Sequence, residues 1–381
     1  MRIAVLGAGP AGLLFAQSVK RRFTHWQVRV LEQNPPDATF GFGVVFSEGA
    51  LGFLERDAPA LYRELMPRMQ AWPMQRIAHR GEAVDIDGNG FRAISRLQLN
   101  QFLQQLCRDA GVAIEFGRTV GSLDELQDAD LVVGADGLNS LARRTLEAQF
   151  ATKIEWLTNR FAWYGTPQRF DCLTLTFREN AHGAFVAHHY RHSDEMSTFV
   201  VECDYATWQR AGLDNMDDGQ SRAYCAGVFA ADLGGHSLVS NKSIWRQFPL
   251  LQNAHWSART PAGHAVLIGD ALRTMHFSIG SGTRLAFEDA IALDRAFAEA
   301  GEDVPRALSA FERERRPAVE KLFAAANRSS WWYEEFPARM GRFDALGLAY
   351  DYMIRSGRMS DERLRQMAPR FMARVDSRRK A

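Results

Sequence analysis

Two glycine-rich stretches have the spacing of anion-binding loops. Residues 7–12 (GAGPAG) follow the apolar run 3–6, and residues 280–282 (GSG) follow a second apolar run near position 267. Each stretch leads into an amphipathic, helix-like segment. A glycine-rich loop at a helix start presents unpaired N–H groups and the positive end of the helix dipole, which together attract phosphate. Because the two stretches lie more than 250 residues apart, they indicate one long anionic ligand that contacts both parts of the chain.

The first stretch has the spacing of a dinucleotide-binding turn. Gly7 permits the tight turn, Gly9 lets the backbone approach a pyrophosphate, and Gly12 allows the helix to pack closely on the strand. Glu32 ends the next apolar run, 20 residues after Gly12. A carboxylate at that position accepts hydrogen bonds from both hydroxyls of a ribose and repels a 2′-phosphate. A coincidental strand–turn–helix is the alternative.

Two aspartates identify the dinucleotide. Asp136 follows the apolar run 131–135, and Asp270 follows the apolar run 266–268. Carboxylates at the carboxyl ends of parallel strands lie in the crevice where ligands bind. Either aspartate alone is also explained as a strand-end cap or a turn residue. Together with the first stretch, they indicate a cofactor with ribityl hydroxyls as well as an adenosine ribose, which is FAD.

These residues must be positioned by a parallel sheet. Residues 2–34 have the pattern of a βαβ unit, and residues 112–116 and 131–135 read as further parallel strands. Residues 76–95 alternate around glycines and predict short antiparallel strands. Between about 155 and 205, runs of Phe, Tyr, Thr and Val predict a second, antiparallel sheet. Residues 304–367 have helical spacing, with breaks expected at Pro317 and Pro337.

The predicted fold class is α/β: a Rossmann-like FAD-binding domain with an inserted antiparallel β-sheet substrate domain and C-terminal helices. A chain of 381 residues exceeds the usual size of a single core, so two substructures are expected. The predicted segments alternate between the two domains. They are FAD-binding segments at 1–75, 96–155 and 261–300, substrate-domain segments at 76–95 and 156–260, and a C-terminal helical region at 301–381.

Composition excludes several classes of protein. A formal net charge of +1 does not fit broad nucleic-acid binding, and the basic cluster near the C-terminus is typical of a solvated helix end. The four cysteines are widely spaced, which excludes a disulfide framework and a Cys-x-x-Cys motif. No apolar run approaches a membrane span, and residues 2–7 already read as a buried strand, so no signal peptide is expected. The expected location is the cytoplasm, without a membrane or nucleic-acid partner.

The motifs together resemble the FAD-dependent aromatic hydroxylases of the single-component monooxygenase class, whose fold is that of p-hydroxybenzoate hydroxylase. The resemblance is carried by GAGPAG (7–12), ADG (135–137), GD (269–270) and the Gly-x-Gly helix start. It implies that FAD is the cofactor and that NADH or NADPH is a co-substrate without a Rossmann domain of its own. Arg96, ahead of a helix, matches the arginine that the class uses near the pyrophosphate; a surface helix-start arginine is the alternative. The implied FAD-binding residues are Gly7, Gly9, Pro10, Ala11, Gly12, Glu32, Gln33, Gly43, Arg96, Asp136, Asp270, Gly280, Gly282 and Thr283.

A closer resemblance covers nearly the whole chain. The sequences TFGFGVVFS (39–47), WYGT (163–166), STFVVE (197–202), NKSIW (241–245) and HFSIGSGT (276–283) are similar to those of the salicyloyl-CoA 5-hydroxylase group and of the flavin domain of anthraniloyl-CoA monooxygenases. The tryptophan-derived indole hydroxylases of violacein biosynthesis share several of these motifs and are the alternative. Flavin halogenases are less similar, because the Trp-x-Trp-x-Ile motif is missing.

This resemblance implies a reaction. The implied function is 5-hydroxylation of salicyloyl-CoA to gentisyl-CoA, or a related reaction on an aryl-CoA thioester, with O₂ consumed through a flavin C4a-hydroperoxide. Some relatives continue into an old-yellow-enzyme-like barrel, and no such chemistry is expected of this chain, which ends at Ala381. The expected partners are a small aromatic substrate and O₂. The chain itself is expected to be a monomer or a homodimer.

Three residues are candidates for catalysis. Removing a proton from a phenol or aniline makes its ring more nucleophilic, and histidine is suited to this near neutral pH. His276 follows Asp270 on the loop before the flavin-facing helix; a loop histidine bonded to the backbone is the alternative. His188 and Tyr190 share one face of a predicted strand, which either lines the substrate pocket or faces away from it. A metal site at His188, His189 and His192 is disfavoured, because neighbouring strand residues point to opposite faces.

One position departs from the aromatic hydroxylase class. That class usually has histidine where this chain has Arg273. Arg273 is interpreted either as a contact for an anionic substrate tail or as a solvated loop charge.

Overall fold

The structure is a computed structural model that describes residues 1–380. Its sixteen strands within those residues are β1 (Arg2–Leu6), β2 (Gln27–Glu32), β3 (Gly43–Ser47), β4 (Gln70–His79), β5 (Glu82–Ser95), β6 (Ala113–Phe116), β7 (Leu131–Gly134), β8 (Thr152–Trp156), β9 (Arg160–Thr166), β10 (Leu173–Asn180), β11 (Gly183–Arg191), β12 (Ser197–Cys203), β13 (Val239–Ser240), β14 (Pro249–Asn253), β15 (Ser257–Arg259) and β16 (His264–Leu267).

Fifteen α-helices lie in the same described range. They are α1 (Pro10–Arg22), α2 (Glu48–Asp57), α3 (Pro59–Leu65), α4 (Arg96–Asp109), α5 (Leu141–Thr145), α6 (Glu147–Phe150), α7 (Tyr205–Arg210), α8 (Asp218–Val228), α9 (Ala230–Leu233), α10 (Gly282–Ala300), α11 (Val304–Glu334), α12 (Phe336–Arg342), α13 (Ala345–Ile354), α14 (Asp361–Met367) and α15 (Pro369–Lys380). None of these helices is long and apolar enough to cross a lipid bilayer.

The chain divides into two compact units, each assembled from three segments. Unit 1 contains residues 1–38, 97–155 and 249–324, and unit 2 contains residues 39–96, 156–248 and those from 325 onward. Residues 39–75, which the sequence assigns to the first FAD-binding segment, are therefore grouped with unit 2.

Unit 1 is built on a six-stranded sheet in the order β15-β16-β7-β1-β2-β6. All neighbours are parallel except the edge strand β15. Strands β1, β7 and β16 are short apolar runs that are almost wholly buried, as expected for parallel strands with both faces covered. Helices α1 and α10 pack against each other in this unit.

Unit 2 is built on an eight-stranded sheet in the order β13-β9-β12-β11-β10-β4-β5-β3. Its pairs are antiparallel except β10 with β4. Successive residues of β11 alternate between two cores. Ala184 and Val186 pack with α12–α15, whereas Phe185 and Ala187 pack near α7–α9. The two units together confirm the predicted α/β class, with a Rossmann-like sheet, an inserted largely antiparallel sheet and C-terminal helices.

The antiparallel strands predicted within residues 76–95 are present, but they are longer than predicted. Two long strands, β4 and β5, are joined by the turn Arg80-Gly81, where both residues have positive φ (51° and 80°). Such a turn matches the twist of a hairpin. Gly88 lies inside β5. A side chain does not fit there, because a Cβ would come within 1.7 Å of the carbonyl oxygen of Met367. Its role is close packing rather than a strand end.

The predicted break at Pro317 is wrong, since α11 continues through it for 31 residues. A proline inside a helix loses one backbone hydrogen bond and costs about 3 kcal/mol. The surrounding turns are held by burial of Phe311 and Val319 and by the ion pair of Arg315 with Asp289. Tertiary packing therefore outweighs the local preference. The break predicted near Pro337 is confirmed. Helix α11 ends at Glu334, and Pro337 is the second residue of α12.

Candidate functional site

The first glycine stretch forms a tight turn between β1 and α1. Gly7 has a left-handed backbone (φ +95°), and a Cβ there would lie 2.6 Å from the carbonyl oxygen of Ala135. A Cβ at Gly12 would lie 2.3 Å from the carbonyl oxygen of Gly7. At Gly9, by contrast, the nearest atom to an added Cβ is the Ala135 oxygen, 4.0 Å away. Packing of the protein itself thus requires Gly7 and Gly12, whereas Gly9 borders open space.

The start of α1 suits an anion. Pro10 is its first residue, Gly9 is its N-cap, and no side chain among residues 1–380 caps it. The fixed φ of proline suits the first helical position, and the amides of the first turn have no acceptor within the helix. Ala11 and Gly12 in this turn are buried.

Glu32 lies at the carboxyl end of the neighbouring strand, β2. Its carboxylate accepts hydrogen bonds from the backbone N–H of Ala8 (2.8 Å) and from the backbone and side-chain nitrogens of Asn34 (2.8 and 2.7 Å). A carboxylate offers about four acceptor positions, so Glu32 can also accept from a ribose hydroxyl. Gln33 follows it on the surface.

Asp136 lies just beyond the end of β7. Its Oδ2 accepts from the backbone N–H of Leu141 at 2.7 Å. Its Oδ1 is buried and has no hydrogen-bond partner in the described part of the chain. Burial raises the pKa of this carboxyl, and the contacts with Ser140 and the Leu141 amide oppose that shift. A buried acceptor without a donor is costly, and a ligand hydroxyl would satisfy it.

The end of β16 meets the start of α1. Gly269 has a left-handed backbone, and a Cβ there would lie 3.1 Å from the Cβ of Ala11 and 3.6 Å from that of Ala286 in α10. Asp270 follows in the same short turn and is exposed. Strands β1, β7 and β16 are parallel neighbours. The residues that follow them therefore share one edge of the sheet.

A buried ion pair supports this turn from behind. Asp289 of α10 is completely buried and accepts from the backbone N–H of Gly269 (3.1 Å), from Nη2 of Arg273 (2.8 Å) and from Arg315 (3.3 Å). Arg273 is itself only 5% exposed and lies over the ring of Trp256. The interpretation of Arg273 as a solvated loop charge is therefore wrong, because a charge buried this deeply needs a partner and here has Asp289.

Sequence reasoning missed Asp289, although a signal was present. Asp289 interrupts the apolar face of α10 that Leu285, Ala286 and Leu293 form. A carboxylate on the buried face of a helix needs a partner, and Arg273 is the nearest cation in the preceding loop.

The second glycine stretch opens α10. Gly280 has a left-handed backbone (φ +59°), and Ser281 is the N-cap. A Cβ on Gly282 would find no atom of residues 1–380 within 4 Å. Thr283 is the second residue of the helix and is half-buried. This helix start, like that of α1, therefore has room for a ligand.

His276 lies in the loop before α10 and is 2% exposed. Its Nδ1 accepts from the backbone N–H of Ser278 at 3.4 Å, and its ring packs against Phe277 at a centroid distance of 4.2 Å. The bond to the Ser278 amide is the kind of contact expected for a loop histidine bonded to the backbone, the alternative given by the sequence. With Nδ1 as an acceptor, the neutral ring carries its proton on Nε2.

The unit 1 residues fit FAD. Two open helix starts, the carboxylate of Glu32 and the unsatisfied Oδ1 of Asp136 provide acceptors for hydroxyls and donors for phosphates. Glu32, Asp136 and Asp270 lie at or just beyond the carboxyl ends of parallel strands of one sheet, and carboxylates accept hydrogen bonds from hydroxyls such as those of FAD. No group of three His, Cys, Asp or Glu side chains that could hold a metal ion occurs within the described residues.

His188 and Tyr190 are in unit 2. The ring of His188 stacks on Tyr333 at 5.1 Å, and its Nε2 lies 3.7 Å from Oε2 of Glu202, which is 1% exposed. Glu202 also accepts from Nδ2 of Asn159 at 2.8 Å. Glu202 is a functional candidate beyond those expected from the sequence, although a carboxylate within an apolar strand is unusual and requires such partners.

Tyr190 holds the start of β3. Its hydroxyl donates to the carbonyl oxygen of Gly43 at 3.0 Å, and burial raises the pKa of the Tyr190 hydroxyl to about 12. The backbone N–H of Gly43 donates to Oγ1 of Thr198 at 2.9 Å, and a Cβ on Gly43 would lie 2.6 Å from His192. Close packing thus accounts for this glycine. Arg96 begins α4, and its guanidinium lies 5.5 Å from the ring centre of Trp163.

Two other histidines of unit 2 are held neutral. His189 bonds to Oγ1 of Thr176 at 2.9 Å and stacks on Phe199. Burial lowers the pKa of His189 to about 3 and that of His192 to about 4. His188 and His189 lie on opposite faces of β11, as alternation requires.

Comparisons with known proteins agree on one family. The family described as "FAD binding domain" matches residues 96–326. The salicyloyl-CoA 5-hydroxylase of a Streptomyces species is 40% identical over 93% of this chain and 70% of its own length. The protodeoxyviolaceinate monooxygenase of Chromobacterium violaceum is 37% identical over 89% of this chain and 91% of its own length. Among solved structures, 2-methyl-3-hydroxypyridine-5-carboxylic acid oxygenase aligns with a TM-score of 0.69 at 18% identity, covering 96% of this chain and 95% of its own.

Proposed function

Because the chain belongs to the FAD-dependent aromatic monooxygenases with this FAD binding domain, we propose that its substrate is an aryl-CoA thioester such as salicyloyl-CoA, hydroxylated at ring position 5. One observation carries the choice of substrate. The relative named for that reaction is 40% identical over 93% of the chain. The alternative is a tryptophan-derived indole, which the 37% identity with the protodeoxyviolaceinate monooxygenase favours.

The residues of unit 1 would hold the cofactor. The starts of α1 and α10 would stabilise phosphate and ring oxygens by their first-turn amides, and Glu32 would accept from the ribose. Asp136 and Asp270 would accept from ribityl hydroxyls. When bound, FAD supplies the redox chemistry, taking a hydride from NADH or NADPH and using O₂ to oxygenate the ring.

His276 is proposed to act as a hydrogen-bond donor rather than as the general base. Its Nδ1 faces the Ser278 amide, so the proton of the neutral ring is on Nε2, and that nitrogen donates. A donor at this point of the loop would hold an oxygen atom of the substrate or the flavin in position. The proton of the substrate phenol would then leave to another acceptor. His188, which is paired with Glu202, is the second candidate for that role.

A substrate comparison tests the proposal. FAD-loaded protein is mixed with NADH or NADPH and with salicyloyl-CoA, anthraniloyl-CoA, free salicylate or a tryptophan-derived indole. Oxidation of the nicotinamide is followed by absorbance and the products by mass spectrometry. We expect stimulation and a product one oxygen atom heavier with salicyloyl-CoA. Free salicylate is the matched control, because it has the same ring without the thioester, and should stimulate little.

The outcomes separate the candidates. Oxygenation of the indole without oxygenation of either thioester would reject the thioester proposal and favour the alternative. Equal rates with salicylate and salicyloyl-CoA would show that the thioester is not recognised. A purified protein that stays colourless after FAD is added would contradict every version.

A further inference from the structure

Strand β8 presents an exposed edge. It pairs with β14 in a two-stranded sheet, and no other strand of residues 1–380 is its neighbour. Four of its five residues are exposed. Ile154 and Trp156 are among the large apolar side chains most exposed in the described chain, at 41% and 56%. Lys153 and Glu155, the residues on either side of Ile154 in sequence, have side chains that are 72% and 56% exposed.

The register of this sheet shows which backbone groups point outward. The backbone N–H of Ala254 donates to the carbonyl oxygen of Ala151, and that of Leu157 donates to Phe248. These two bonds, made by the residues that flank β8, set a register in which the odd-numbered residues of β8 face β14. In an antiparallel pair, alternate residues direct their N–H and C=O groups to opposite sides. Thr152, Ile154 and Trp156 thus direct these groups away from β14, where they can bond to another strand.

We propose that β8 pairs antiparallel with β8 of a second copy of this chain, which makes the protein a homodimer. A two-fold axis through Ile154 places each Ile154 opposite its equivalent and each Thr152 opposite Trp156 of the other copy. Those three positions supply the outward backbone groups, so this register completes their hydrogen bonds. The result is a four-stranded sheet across the interface.

Charge complementarity is the reason for choosing a second copy. In this register Lys153 of each copy lies directly opposite Glu155 of the other, as a non-hydrogen-bonded pair in which side chains approach most closely. Lys153 and Glu155 already form an ion pair at 2.5 Å within one chain. Lysine on an edge strand ordinarily discourages pairing, but a glutamate two residues away neutralises it when the same strand is the partner. The opposite face joins Ile154 to Ile154 and Thr152 to Trp156, pairings that stabilise sheets.

Charge reversal tests this interface directly. Lys153→Glu places two glutamates opposite each other at both symmetric positions, and Glu155→Lys does the same with lysines. Each variant is expected to raise the dimer dissociation constant at least about tenfold. Measured by sedimentation equilibrium on FAD-loaded protein, wild type should be dimeric. Lys321→Glu, the same charge change at an exposed position of α11, is the matched control and should leave the dissociation constant unchanged.

Mixing the two variants is the decisive step. The Lys153→Glu chain carries two glutamates and the Glu155→Lys chain carries two lysines, so an equimolar mixture should form heterodimers with the wild-type dissociation constant. The double variant Lys153→Glu/Glu155→Lys restores opposite charges and should dimerise on its own. Flavin content and circular dichroism establish that each variant is folded. Wild type that sediments as a monomer at the highest attainable concentration overturns the proposal, and so does a dimer that either single reversal leaves intact.

Discussion

The three glycines of the turn at residues 7–12 are constrained in different ways. An added Cβ would collide with the backbone at Gly7 and Gly12, at 2.6 and 2.3 Å, but not at Gly9, where the nearest atom is 4.0 Å away. The turn could be predicted from spacing alone, because only glycine meets such constraints. The pairing of Arg273 with Asp289 could not, because it depends on how a loop and a helix meet in three dimensions.

Gly9→Val should separate folding from cofactor binding. Its backbone (φ −81°) suits any residue, so the free energy of unfolding of the apoprotein should fall by only about 1 kcal/mol, the cost of replacing a glycine N-cap. The added methyl groups fill the space in front of α1, so flavin retention should be lost. Urea unfolding and the flavin absorbance of purified protein measure the two effects. Gly12→Ala is the contrast, since its clash at 2.3 Å should destabilise the fold itself. Full flavin retention by Gly9→Val would contradict the assignment.

The role of His276 can be tested by the coupling of nicotinamide oxidation to hydroxylation. If Nε2 donates to the substrate or the flavin, His276→Ala should retain FAD but oxidise nicotinamide with little hydroxylation. His276→Gln keeps a donor on a side chain of similar length and should recover part of the coupling. The measurement is the ratio of product formed to nicotinamide oxidised. Unchanged coupling in His276→Ala would contradict the proposed donor role of this histidine.

At the scale of elements, long segments with a clear period could be predicted and positions governed by packing could not. The parallel strands β1, β7 and β16 followed from buried apolar runs. The continuation of α11 through Pro317 and the length of β5 through Gly88 did not, because each depends on contacts remote in sequence. For Gly88 that contact is with Met367. The same limit applies to unit 2, where His188 and Tyr190 were placed on one face by alternation but their partners Tyr333 and Gly43 were not foreseen.

The link between α10 and the turn after β16 should be a large source of stability. Arg273→Leu leaves the buried Asp289 with only Arg315 and the Gly269 amide as partners. Breaking one side of a buried ion pair costs about 3 kcal/mol or more. Arg118→Leu is the control, because Arg118 and Glu125 form a pair whose side chains are 48% and 34% exposed, and such a pair should contribute at most about 1 kcal/mol. Urea unfolding measures the free energy of unfolding of both variants. Equal losses in the two variants would contradict the larger contribution expected of the buried ion pair.

At the scale of the whole molecule, buried neutral histidines should make stability depend on pH. The pKa of His189 is about 3 and that of His192 about 4 in the folded chain, against about 6.5 when unfolded. Between these values the unfolded chain binds more protons. The stabilisation is therefore complete above about pH 6.5 and is lost as pH falls toward the folded values.

Acidification from about pH 7 to 4.5 should therefore lower the free energy of unfolding, with His189 alone contributing on the order of 3 kcal/mol. Urea unfolding with saturating FAD measures the change. His189→Gln keeps a polar group near Thr176 without the titration, so its loss over the same range should be smaller. An identical pH dependence in wild type and variant would remove His189 as the cause.

The interleaving of the two units has a consequence for synthesis of the protein. Unit 1 closes only with its third segment, residues 249–324, and that segment supplies β16, Asp270 and the start of α10. A nascent chain that has emerged as far as residue 248 has the turn at residues 7–12 and Asp136, but it lacks the second half of the cofactor site that we propose. Stable capture of the flavin must therefore wait until the last third of the chain has left the ribosome, and until then the antiparallel unit has to persist without its C-terminal helices.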